Sequence, residues 1–233
     1  MAATLLGFDL RETDGAVARL WTPERRARFL LRRDAAPVLS VDVAVWPSVF
    51  DTGQGIGLAA AERERWRFAG LPTPPWTGAN DGLWEDLAAM RAHAAAQAAT
   101  CPPHVAIAVT WLQPDGVEPG PVGPHPAATH PAAPDPAWPC AGLDVADGSR
   151  LSGLSNCGYG EDEAAALVAR WAPRLNRWHL FDDPQDALAF REVADARIPE
   201  HAPFFVYGLY LVDGAAAVLA APGGAAAAGS ERR

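Results

Sequence analysis

Residues 5–21 read LLGFDLRETDGAVARLW, two apolar stretches on either side of Thr13-Asp14-Gly15. Asp-Gly tolerates the positive φ that tight hairpin turns require, so Leu5–Leu10 and Ala16–Trp21 are expected to pair as a β-hairpin. A chain that opens on a hairpin and lacks regular βαβ spacing later belongs with α+β folds rather than doubly wound parallel sheets. The expected architecture is a mixed or antiparallel sheet of about five to six strands packed by about five helices.

Outward from the hairpin, Thr22-Pro23-Glu24 supplies a cap, a first-turn proline and a first-turn acid, predicting a helix over 23–33. Val38 to Trp46 sets Val41, Val43 and Val45 against Ser40, Asp42 and Ala44, a period of two that predicts a half-buried strand. A loop with Gly53, Gly55 and Gly57 precedes a charged helix over 59–69 that ends at Gly70. Asn80 is placed to cap a helix over 81–99, in which Leu83, Leu87, Met90 and Ala94 share a face. His104 to Leu112 has the length and β-branched content of a central strand.

Gln113 to Pro139 is dense in proline and poor in large apolar residues, so it reads as a surface loop or linker. A short strand and turn are expected over 141–154 and a helix over 161–175, with Leu167, Val168, Trp171 and Leu175 as its buried stripe. Asp183-Pro184 opens a further helix to about Ile198 by the cap-and-N1-proline rule. Phe204 to Val212 is expected to close the sheet. The division that follows is one α+β domain over 1–212 and a disordered alanine/glycine tail over 213–233.

The net charge of −9 disfavours nucleic acid and anionic lipid, whose phosphates call for clustered cations, and favours a basic protein partner. All 19 basic residues are arginine. Without lysine the chain has no side-chain amine for a Schiff base and no Walker lysine for nucleotide phosphates. No cofactor is expected. The opening Met1–Asp9 carries no basic n-region, and Phe204–Val212 is shorter than the roughly 20 residues of a membrane span, so a cytoplasmic location is expected. The three cysteines, Cys101, Cys140 and Cys157, do not form a secreted disulfide framework.

The richest chemical stretch is 143–159, which gathers Asp144, Asp147, Ser152, Asn156, Cys157 and Tyr159 between glycines. A thiol just before the helix expected from Glu161 would feel the positive end of its dipole, although Glu161, Asp162 and Glu163 in the first turn oppose that effect. The catalytic set drawn from it is Cys157 as nucleophile, Asp144 and Asp147 as orienting acids and His201 as base. Its bland counterpart is a tight turn of small residues with a buried histidine. The glycines at 53, 55 and 57 miss the dinucleotide spacing. Cys101, His104, His125, His130 and Cys140 allow a zinc site to be sketched, but they lack the close ligand pairs of structural zinc, and no metal is expected.

Nine tryptophans are many for 233 residues. Trp76, with Asn80 and Asp81 nearby, and Trp178 fall in expected loops, where amphipathic rings anchor partners. Ser152, Asn156 and Tyr159 complete the candidate binding residues. Two readings follow: an acidic binding, inhibitory or regulatory module, such as an immunity- or antitoxin-like antagonist of a basic protein, or a cysteine- or carboxylate-dependent enzyme with its site around 144–159.

Overall fold

The structure, a computed structural model, describes residues 2–13, 39–42, 45–46, 48, 83–96, 103–113, 133–154 and 161–215. They form β1 (Ala2–Glu12), α1 (Leu87–Ala96), β2 (His104–Gln113), β3 (Cys140–Asp147), α2 (Glu161–Trp171), a 3₁₀ turn (Ala172–Arg174), α3 (Pro184–Arg197) and β4 (Phe204–Leu211). The sheet has four strands in the order β1-β2-β4-β3, and every neighbouring pair is antiparallel.

That architecture corrects the expectation of five to six strands and about five helices: among the described residues there are four strands and three α-helices. The expected strand over 38–46 is the clearest loss. Ser40, Val41, Asp42 and Val45 are all buried, and the amides of Val45 and Trp46 both donate to the Asp42 carbonyl. The alternation implies a wet polar side, but here the polar positions are inside as well, Ser40 bonded to the Asp144 carboxylate and Asp42 to the Ser152 amide. The helices expected over 23–33 and 59–69, the Ala16–Trp21 arm, and most of the proline-rich stretch and tail lie outside the described residues.

β1 takes its sheet partner from far along the chain, pairing Phe8 with Ala108 and Asp9 with Ile107. Directly opposed residues of antiparallel strands share a face. One face therefore presents Phe8, Ala108, Val206 and Val145, covered by Met90 and Ala94 of α1 and by Trp171, Phe181 and Phe190. These three rings pack at centroid distances of 5.4–6.0 Å, and truncating Phe190 to alanine would cost about 3–5 kcal/mol. The other face presents Ile107, Val109, Tyr207 and Leu209 to Leu39, Val41, Trp46, Trp178 and Leu180.

Helix ends follow local chemistry. The Asp183 side chain accepts from the Gln185 amide at 2.8 Å, with Pro184 in the first turn, as the sequence predicts. Helix α1 starts later than 81, because Leu83 and Trp84 are extended, Trp84 exchanging two 2.8 Å backbone hydrogen bonds with Phe8. Asp86 then accepts from the Ala89 amide at 2.7 Å and caps it. Pro173, lacking an N–H, ends the α-helical part of 161–175 in a 3₁₀ turn. No helix among the described residues is long and apolar enough to cross a membrane.

Candidate functional site

The second sheet face carries charge into the core. Asp9 and Arg11, two positions apart on β1, point to the same side, and both are almost fully buried. The Arg11 Nε lies 2.9 Å from Asp9 Oδ2, while its terminal nitrogens donate to the carbonyls of Trp46 and, at 3.0 Å, Val41. Asp9 Oδ1 accepts from Ser48 Oγ at 2.6 Å and from the Leu10 amide at 2.8 Å. Burial pushes the Asp9 carboxyl above its ordinary value; Arg11, Ser48, Arg150 and the Leu10 amide pull it partly back.

Across the sheet, Asp144 on β3 accepts four hydrogen bonds from described residues. Oδ2 takes Ser40 Oγ at 2.6 Å and the Val41 amide at 3.1 Å, and Oδ1 takes Ser152 Oγ at 2.7 Å and the Val145 amide at 2.9 Å. Asp42 answers by accepting from the Ser152 amide at 3.1 Å. Asp144 thus binds two separate chain segments to the sheet, each oxygen accepting from two donors.

At the end of β3, Asp147 organises the turn that follows. Its Oδ1 accepts from the amides of Ser149 and Leu151, each at 2.9 Å, and its carbonyl accepts from the Arg150 amide and, at 3.0 Å, from the Tyr207 hydroxyl. Arg150 sits in the left-handed region at φ 65 to close the turn. Asp147 Oδ2 meets His201 Nδ1 at 3.0 Å. A carboxylate only accepts, so in this contact Nδ1 is the donor. The His201 side chain is 33% exposed and that of Asp147 7%.

Of the residues singled out from sequence, Asp144, Asp147, Ser152 and His201 come together around this turn, in two linked clusters. Cys157, Asn156, Tyr159, Trp76, Asn80 and Asp81 lie outside the described residues. Trp178, expected as a loop anchor, is buried in the second-face core with the Arg177 guanidinium 4.6 Å above its ring. Of the sketched zinc ligands, His104 and Cys140 are described, and among the described residues no group of three metal-ligating side chains gathers. Sequence reading misses Asp9, Arg11, Ser40, Asp42, Ser48 and Arg150. A signal for the first two exists: an acid and a base at alternate positions inside an apolar strand must face the same way.

No known protein family matches the chain, and neither a curated protein nor a solved structure proves similar to it.

Proposed function

We propose that the protein is an acidic binding module, of inhibitory or regulatory kind, whose ligand is a basic protein. The observation that carries the reading is how the acids divide between interior and surface. Asp9, Asp42, Asp144 and Asp147 are buried and each accepts hydrogen bonds that hold the fold. Asp182, Asp183, Glu192 and Glu200, on and around α3, are exposed, within a chain of net charge −9. Such a field raises the encounter rate with a cationic partner and weakens with salt. Affinity capture with the intact chain at low and at physiological ionic strength tests it. A basic protein retained at low salt and released as salt rises supports the reading, and no protein retained at either salt removes its basis.

A second reading is favoured by one contact, that of Asp147 with His201. A buried acid orienting a half-exposed imidazole is an arrangement used for general-base catalysis, and Cys157 is the nucleophile it would serve. Titrating the rate of Cys157 alkylation against pH tests that reading. A thiol that reacts only as an ordinary cysteine, unchanged by His201→Ala, eliminates it.

A further inference from the structure

Residues 133–140 read APDPAWPC and enter β3 through an exposed turn built around one half-buried ring, that of Trp138. The Trp138 amide donates to the Asp135 carbonyl at 3.0 Å, and the Asp135 carboxylate accepts from the Ala137 amide at 2.8 Å. Pro134, Pro136 and Pro139 each fix their own φ, and the Pro139 carbonyl accepts from the Leu211 amide at 2.9 Å, fastening the turn to β4. Trp138 is thus held in place before any partner arrives, which lowers the ordering cost of binding.

The Trp138 ring stands nearly perpendicular to that of Phe8, 5.7 Å between centroids. Phe8, Ala108 and Tyr210 follow one another across the sheet, and Cys140 pairs with Tyr210. Around that row Leu5, Leu87, Tyr210 and Val212 are half-buried like Trp138, so an apolar surface reaches solvent here. The charges beside it are unequal. Asp135 lies in the turn, and Asp182 lies near the start of β3, where Asn176 donates to its carboxylate at 2.6 Å and to the Ala141 carbonyl at 2.8 Å. Both acids are exposed and have no cationic partner among the described residues, whereas Arg91 is paired with Asp213.

We propose, building on the reading of the chain as a module for a basic protein, that this patch is where the partner docks. It seats an arginine or lysine side chain whose methylene stem lies along Trp138 and Tyr210 and whose charged head turns to Asp135 and Asp182. Exposed acids steer a cationic partner but add little to affinity by themselves. An aromatic face attracts the cation and covers its stem, and anchors of this kind carry most of the energy of an interface. One side chain type therefore satisfies both the apolar surface and the acids beside it.

Titrating the intact chain at low ionic strength with a blocked peptide of alternating arginine and glycine tests the site. The readout is the indole N–H resonance of Trp138, and the control is the same peptide with neutral citrulline in place of arginine. The arginine peptide should move that resonance saturably and bind about tenfold more tightly than the citrulline peptide, and Trp138→Ala should weaken its binding by about fivefold or more. If Trp138→Ala does not fold, Asp135→Asn combined with Asp182→Asn takes its place, with a fivefold loss supporting the site and unchanged affinity overturning it. An arginine peptide that binds while moving only the amides of Asp183, Glu192 and Glu200, or that binds Trp138→Ala as tightly as wild type, overturns the docking site and leaves the acidic module standing. No binding of the peptide also overturns the site, and the acidic module falls with it only if affinity capture retains no basic protein either.

Discussion

His201 and Asp147 are 54 residues apart in sequence and meet at 3.0 Å, Nδ1 against Oδ2. The pair is asymmetric. Asp147 also holds two turn amides, whereas the imidazole is one-third open to water. Removing the acid strands two part-buried turn amides, and removing the histidine does not. Asp147→Ala is therefore expected to lower stability by about 2–4 kcal/mol and His201→Ala by about 1 kcal/mol or less, read from urea unfolding curves. Equal losses would mean that the histidine, rather than the turn, is what Asp147 supports.

Asp144→Ala exposes a different dependence. It leaves the Ser40 and Ser152 hydroxyls and the Val41 amide without their acceptor in a dry interior. The expected loss is about 3 kcal/mol or more. Ser152→Ala in the Asp144→Ala background should cost little further, because that hydroxyl has already lost its acceptor, and a double-mutant cycle by thermal melting reads the coupling directly.

Gly208 of β4 is a steric test of the sheet. A Cβ there would stand 2.5 Å from Thr110 Oγ1 on the paired strand β2. Gly208→Ala should destabilise by about 1–3 kcal/mol, and Thr110→Ala should recover part of that loss while Thr110→Ser recovers none. Thermal melting of the single and double variants checks the order. Gly142 is more demanding, since its φ is 139 and a Cβ would lie 2.7 Å from that of Leu180.

Asp9 gives a pH signature with a definite sign. Burial raises its carboxyl in the folded chain, so the native state keeps the proton to higher pH than the unfolded state does. Its contribution is fully present below the ordinary carboxylate range and is lost as pH rises through the native value. The stability difference between wild type and Asp9→Asn, which cannot titrate there, should therefore shrink from about pH 4 toward neutrality. Denaturant titrations across that range check it. A difference that grows with pH would show that the Arg11 pair, 2.9 Å away, outweighs burial.

Local signals make the α3 start and the closing strand legible in the sequence: a cap followed by a proline at Asp183-Pro184, and a continuous apolar run over Phe204–Val212. The segment 38–46 misleads because a period of two says that one side is polar but not that the polar side is wet. Ser40 and Asp42 point into the core because Asp144 and Ser152, over a hundred residues later, meet them there. The site is half legible for the same reason. Residue type and local crowding single out Asp144, Asp147, Ser152 and His201, but what each binds depends on Ser40, Val41, Asp42 and Tyr207, which only the tertiary structure brings near. Trp178 reads as a loop ring and proves to be core, because a loop that packs on a sheet face buries its largest side chain.

If surface acids, rather than the interior polar residues, are what a partner reads, neutralising them must abolish binding without unfolding the chain. The most direct test is retention of the captured basic protein by a chain carrying Asp182→Asn, Asp183→Asn, Glu192→Gln and Glu200→Gln, beside one carrying His201→Ala, at matched melting temperature. The surface variant is expected to lose retention and its salt dependence, while His201→Ala retains the partner as wild type does. Full retention by the surface variant, with loss in His201→Ala, is incompatible with an acidic recognition surface.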